Sequence, residues 1–531
     1  MKWLNTMLKI NKKKPQKSEV YVSPGSQHVG LTDDLEQNKR SLLEIFRHTA
    51  DFCAEEISIG GKEAVAYWLT TMTDSKEITG KIIQPFLSMN ETYISDMNDS
   101  TLSIICKEYI RTSQYQILDH LDQTIKEILT GNVVILLSGS NKAISITIGL
   151  SQVRSIDEPS TQTIIRGPKD SFIESAETNL SLIRRRIKNA GLKFQKYTIG
   201  TETGTTVYLA YMDGIINKEI LAEIQKRLNK TNSNAIFDSG TLEEYIVDKT
   251  LTPFPLIYNS ERPDSIAAHL ISGKAAIIVD GSPFVLSMPA VFSDFFQVSE
   301  DYYQPFMMSS FVRCLRYVAF LIALLFPAIF ISIMTYHHEL IPTELLVSIS
   351  SQREALPFPS VVEILIMEIT FEILREAGIR MPRAVGPTVS IVGGLVIGQA
   401  AVEAGVISSI MVIIVAITAI SSFVSPIYSL SVSTRLLRFI LIILGTIIGL
   451  YGVILGLIIL LAHMCSLRSF GVPFMAPFAP LILEEQDDVI IRFPAWSLKK
   501  RPGYLKPESM LTQPNAYPPS PPPLDKEMDN Q

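Results

Sequence analysis

The reading of this chain turns on Arg313-Cys-Leu-Arg316 and the run that follows it, Tyr317–Tyr336, YVAFLIALLFPAIFISIMTY. Two arginines precede a stretch with no formal charge. At about 1.5 Å per helical residue, that stretch matches the roughly 30 Å hydrocarbon core of a bilayer. Further apolar runs follow at Ala384–Val402, Ala404–Val424 and Phe439–Ala462. So many long runs in one block exceed what the buried helices of a water-soluble protein need. Arg313–Met464 therefore reads as the heart of an all-α, multi-pass membrane domain spanning 301–483, with four or five hydrophobic helices.

Working outward, the chain has 531 residues and a net charge of −6. Mild acidity without zinc-finger or recognition-helix spacing argues against nucleic acid as a partner. Cys53, Cys106, Cys314 and Cys465 are scattered without metal-ligand spacing, as expected of reduced thiols. Met1–Ile10 has no continuous apolar core and no small-residue cleavage site, so no signal peptide is expected there. Arg313 and Arg316 just before the first span are then the topology-setting residues, and they place the N-terminal region in the cytoplasm.

That region divides by texture. Residues 1–32 are polar and basic (Lys9, Lys12, Lys13, Lys14, Lys17) and are expected to be disordered. Residues 33–300 read as a soluble α/β (α+β) region of two subdomains meeting near 160. Helical patterns begin at Leu35 and recur at Lys62–Thr73, Ser113–Leu129, Asp170–Ala190 and Lys218–Leu228. Strands are expected at Asn132–Leu137 and Ala143–Leu150, at Leu192–Ile199 and Thr205–Tyr211, and at Ala275–Val279 with Phe284–Met288. Residues 484–531 form a polar, proline-rich tail.

No catalytic constellation, metal site or cofactor motif is found. Gly200-Thr-Glu-Thr-Gly204 lacks the Lys-Ser/Thr of a phosphate loop and reads as a strand-linking turn. His337-His338-Glu339 reads as a polar cap at the far end of the first span. The feature that needs an explanation is Ser360–Gly378, apolar yet carrying Glu363, Glu368, Glu372 and Glu376. The last three repeat every four residues and share one helical face. Carboxylates facing hydrocarbon are costly, so they line either a cation path or ion pairs, with Arg353, Arg375, Arg380 or Arg383 as partners. Gly394 and Gly398, Gly445 and Gly449, and Gly452 and Gly456 form GxxxG pairs suited to close helix packing, within one chain or between copies.

The topology does not close on charge alone. If Ser360–Gly378 spans, five spans leave the tail on the far side. If it only dips into the bilayer, Arg435 and Arg438 are stranded.

An ordered set of motifs resembles a known family. Ile165-Arg-Gly-Pro-Lys-Asp-Ser-Phe-Ile-Glu-Ser175, Leu182-Ile-Arg-Arg-Arg-Ile187, Glu261-Arg-Pro-Asp264 and Val279-Asp-Gly-Ser-Pro-Phe284 resemble the soluble-domain signature of spore germination receptor A subunits. Glu300-Asp-Tyr-Tyr303, Pro357-Phe-Pro359, Glu372-Ile-Leu-Arg-Glu-Ala-Gly378 and Gly398-Gln-Ala-Ala-Val-Glu403 resemble its membrane signature, over roughly residues 35–500. The resemblance implies a non-enzymatic subunit of a nutrient-germinant receptor in the inner membrane of dormant spores. It further implies a transporter-like B subunit and a lipoprotein C subunit as partners, homo-oligomerisation, and an ion channel that releases cations. A non-conducting scaffold and a small-solute transporter are the alternatives.

Overall fold

Val133–Leu137 reads VVILL and Ala275–Val279 reads AAIIV. Five apolar residues in a row leave a strand no face for water, so each must be covered on both sides. The computed structural model describes residues 30–87, 102, 106, 114–148, 158–354, 356–381, 386–513 and 516–518. It puts each of these strands at the centre of a five-stranded antiparallel sheet.

The first sheet contains β1 (Phe52–Ile59), β2 (Lys62–Leu69), β3 (Tyr115–Leu118), β4 (Val133–Leu137) and β5 (Ala143–Ile146), in the order β1-β2-β4-β5-β3. Alternate residues of β4 face opposite layers, as the strand period requires. Val133, Ile135 and Leu137 pack with Ile78, Ile82 and Phe86. Val134 and Leu136 pack with Leu42 of α1 (Leu35–Ile45) and Ile125 and Ile128 of α2 (Leu121–Thr130).

The second sheet runs β6 (Leu192–Ile199), β7 (Thr205–Met212), β9 (Ala275–Val279), β10 (Val285–Met288), β8 (Tyr258–Ser260). One face carries α3 (Ala176–Arg186) and α6 (Pro263–Ile271). The other carries α4 (Lys218–Lys230) and α5 (Ser239–Ile246). The two sheets are joined by a fully buried ion pair, Arg184 Nη2 to Asp51 Oδ1 at 2.9 Å, with the guanidinium also stacked over Phe194.

Two expected helices are not helices throughout. Lys62–Thr73 contains β2, paired with β1 from Phe52↔Leu69 to Ile59↔Lys62. The turn between them is Gly60-Gly61, both at positive φ (54° and 81°), which is the two-residue hairpin geometry. Ser113–Leu129 splits into β3 and α2 around Asp119-His120.

The C-terminal block holds α7 (Phe306–Tyr336), α8 (Thr343–Arg353), α9 (Ser360–Arg380), α10 (Gly386–Glu403), α11 (Ser409–Phe423), α12 (Tyr428–Ile448) and α13 (Leu450–Ser466). Among the described residues, α7 and α12 are long and apolar enough to cross a membrane, and α11 and α13 are shorter apolar helices. The apolar run Phe439–Ala462 is not one helix. Gly449 takes φ +71° and ψ −150°, a conformation essentially closed to residues with a Cβ, and α13 folds back along α12. Hydropathy continues unbroken across this turn, which is why the run reads as a single helix.

After α13 the chain returns to the N-terminal body. Ser469, in β11 (Arg468–Ser469), donates to the Leu256 carbonyl at 2.6 Å and accepts from the Ala290 amide at 3.0 Å. Phe470, Val472, Ala476 and Leu505 complete the core on the α4–α5 face of the second sheet. The segment from 484 to 511, part of the expected polar, proline-rich tail, lies along this body. There Arg492 donates to the Asp301 carbonyl at 2.6 Å, and Arg501 donates to that of Ile271 at 2.8 Å. Asp488 and Glu508 add ion pairs to Arg313 and Lys218 of the body, so much of the segment's polar composition serves its docking.

Candidate functional site

The acidic row lies on α9, which starts at the helix-compatible Pro359-Ser360 and keeps its glutamates through 21 otherwise largely apolar residues. Glu363 is completely buried. Its Oε2 accepts from both the amide and the hydroxyl of Ser408, each at 2.9 Å, at the N-cap of α11. Arg353 Nε stands 3.9 Å away. Glu376, at the other end, is exposed and forms a surface pair with Arg380 at 2.6 Å.

The two middle glutamates form the seam. Glu368 is 1% exposed and pairs with Arg438 Nη2 at 2.9 Å. Glu372 takes Arg435 Nη1 at 2.7 Å, the same Arg438 Nη2 at 2.9 Å and Arg375 Nη1 at 3.4 Å. Arg375 in turn donates to the Ser422 hydroxyl and is flanked by the rings of Phe371 and Phe423. Two carboxylates thus face three guanidinium groups from α9 and α12, leaving one positive charge in excess. In apolar surroundings such charges persist only when paired, and losing one partner typically costs about 3–5 kcal/mol.

Arg353, Arg375 and Arg380 do pair with the row, and Arg383 lies outside the described residues. The strongest partners are Arg435 and Arg438, which sequence reasoning treated only as topology markers. The signal that could have found them is complementary spacing: Glu368 and Glu372 are one turn apart on α9, and Arg435 and Arg438 are one turn apart on α12.

Arg313 and Arg316 sit in the first turns of α7, buried rather than at an open surface. Arg316 grips Asp301 with two bonds of 2.8 Å, and Arg313 reaches Asp301 at 3.1 Å and Asp488 at 2.9 Å. The body, the first long helix and the returning C-terminal segment meet at this point.

The glycines separate into distinct roles. A Cβ on Gly445 would stand 2.9 Å from the Ala328 carbonyl of α7, and one on Gly452 would overlap the Leu444 carbonyl. Gly456 faces Leu441 and Leu444 at 2.8 Å, so the last pair serves the α12–α13 hairpin, with Gly449 as its turn. Gly398 approaches Val412, whereas a Cβ on Gly394 would meet no atom of the described residues within 4 Å. Among the described residues no three His, Cys, Asp or Glu side chains converge to hold a metal ion.

Comparison with known proteins matches residues 40–504 to the family described as Bacillus/Clostridium GerA spore germination protein. The chain is 44% identical over 468 residues to spore germination protein KA of Bacillus subtilis (strain 168), covering 88% of this chain and 85% of that one. It is 40% identical over 474 residues to the uncharacterized membrane protein YfkQ of the same organism, covering 89% and 91%. The crystal structure of the N-terminal domain of the A subunit of the Bacillus megaterium spore germinant receptor GerK3 is 31% identical, with a TM-score of 0.40, over 50% of this chain and 97% of that domain. The chain belongs to the GerA family of spore germination proteins, the spore germination receptor A subunits.

Proposed function

We propose that this chain is the A subunit of a nutrient-germinant receptor in the spore inner membrane. On this reading its helices cross the bilayer, its N-terminal body faces the cytoplasm, and it works with a transporter-like B subunit and a lipoprotein C subunit. Several copies assemble to form or gate a path for cation release. The observation that carries the reading is the seam of Glu368, Glu372, Arg375, Arg435 and Arg438 within an apolar helical block. Ionisable side chains at such depth are costly and mark ion pathways or gates.

A second reading has its own support. Both seam carboxylates are already engaged by arginines of the same chain, as suits a rigid, non-conducting scaffold that transmits a signal. Cation efflux from liposomes carrying the purified chain separates the two. The double variant E372Q/R435Q removes one charge of each sign and keeps the seam's excess unchanged. A tenfold or greater change in flux relative to the native chain supports the gate. Unchanged flux removes Glu372 from the path, and absence of flux from the native chain favours the scaffold.

A further inference from the structure

Where the second sheet meets the first turn of α12 there is a cavity of about 190 Å³. Its wall brings together Ser239 and Glu243 from α5, Asp238 at the cap of that helix, Phe284 beside β10, and Tyr428 and Ser429 from α12. Among the described residues no lysine or arginine lines it. Asp238 is already committed, with one oxygen accepting from the Gly240 amide at 2.9 Å and the other from the Ser282 hydroxyl. Glu243 is not: among the described residues its carboxylate has neither a salt bridge nor a hydrogen bond. Burial, together with the acidic neighbours Glu244 and Asp238, pushes its carboxyl up to about 7. The Ser429 hydroxyl on the facing helix is buried and has no hydrogen-bond partner among the described residues.

An uncompensated carboxylate, an unused hydroxyl acceptor and two aromatic side chains are the groups that recognise an ammonium centre. The carboxylate supplies charge, the oxygens accept N–H bonds, and the rings offer their electron-rich faces. The volume is below the range of drug-sized pockets and has room for only a few heavy atoms. We propose that this cavity binds a small ammonium compound, with Glu243 as counter-ion, Ser429 as acceptor and Tyr428 and Phe284 as aromatic walls.

The site rests on its own geometry and does not depend on whether the helices conduct. Its occupant sits against the start of α12, where the Tyr428 ring lies 5.7 Å from the guanidinium carbon of Arg435, itself the partner of Glu372. Two sources share the chemistry: a free amine, or the ethanolamine headgroup of a neighbouring lipid.

The test is calorimetric titration of the full chain in maltoside micelles with ethanolamine and with methylammonium, against matched sodium chloride, at pH 8. Saturable binding that weakens tenfold or more in E243Q is expected, equivalent to about 1.4 kcal/mol. S429A reads the same site from the other helix and should weaken binding severalfold. Absence of saturable heat up to about 100 mM amine, far weaker than any specific millimolar complex, overturns the proposal. Native affinity in a monodisperse E243Q also overturns it. If E243Q does not stay monodisperse, native affinity in S429A does so instead. In nanodiscs, ethanolamine binding that is weaker with phosphatidylethanolamine than with phosphatidylglycerol alone assigns the headgroup as ligand. Equal binding assigns a free amine, and either result upholds the site.

Discussion

Replacing Asp301 by asparagine should loosen the point where the first long helix enters the body. The Asp301 carboxylate is 2% exposed and accepts three charge-assisted bonds, one from Arg313 and two from Arg316. In D301N, Arg313 keeps Asp488, but Arg316 is left with neutral oxygens alone, the Phe296 carbonyl at 3.0 Å and the new side-chain amide. A buried guanidinium without a counter-ion typically costs about 3–5 kcal/mol. Asp488 is 29% exposed, its partner Arg313 retains Asp301, and the bond it accepts from the Tyr302 hydroxyl at 2.6 Å can be kept by an amide oxygen, so D488N should cost about 1 kcal/mol or less. Hydrogen exchange of the full chain in micelles reads the local opening of α7 directly. Amides around Arg313–Arg316 should exchange about 10²- to 10⁴-fold faster in D301N. They should exchange less than about tenfold faster in D488N. Adding R316M to D301N should recover much of the protection, because it removes the orphaned charge rather than restoring the pair. Equal effects of D301N and D488N, or no recovery in the double variant, would refute this reasoning.

Other consequences follow from the same geometry. G449A places a Cβ about 3.0 Å from Tyr336 and His337 and forces a glycine-only conformation, so the α12–α13 hairpin should lose at least 1–3 kcal/mol; a lower melting temperature of the purified chain checks this. D51N leaves Arg184 buried without its counter-ion and should destabilise the contact between the two sheets by about 3–5 kcal/mol, visible as faster proteolysis between them. Ending the chain at residue 466 removes Phe470, Val472, Ala476 and Leu505 from the second sheet's core, and the truncated protein should bind a hydrophobic dye that the full chain excludes. The carboxyl of Glu243, facing Asp238 and Glu244 on its own helix and Tyr428 across the cavity, must ionise to hold a cation. Amine affinity should therefore rise about tenfold per pH unit up to about 7 and level off above, and a pH-independent affinity would exclude Glu243 as the counter-ion.

The sheet centres were legible in the sequence because strands covered on both faces leave unmistakable apolar runs, as in β4 and β9. β2 was not, since Lys62–Leu69 carries helix-tolerant residues and its identity comes from the Gly60-Gly61 turn and from pairing with β1. The acidic helix was legible, but its partners on α12 were not, because pairing across some 65 residues of chain leaves no local pattern. The charge conflict in the helical block traces to one residue. With Gly449 as a turn, the described helices alternate in direction relative to the body. α7 leads away, and α9 and α11 run side by side toward the body, Glu363 meeting Ser408 and Arg375 meeting Ser422. α10 runs back between them, α12 starts beside Pro253 and leads away, and α13 returns. On the proposed membrane reading, a path that leaves one body and ends on it makes an even number of passes, and the seam arginines of α12, two residues and more beyond the Ser433 contact with the body, are compatible with a spanning α9.

The docking of residues 467–511 on the second sheet also sets an order of assembly. Met288 closes that sheet, yet Phe470 and Leu505 of its core are made some 180 to 220 residues later. At about 5–20 residues per second, that delay lasts roughly 10–40 s. Throughout it the α4–α5 face of the sheet has part of its apolar surface uncovered. The last helical hairpin must turn at Gly449 before the covering segment can arrive. Completion of the body thus requires that every helix between has been synthesised, and a chain that stalls in its helical block is left with a sticky, unfinished sheet, which a protease or chaperone can recognise.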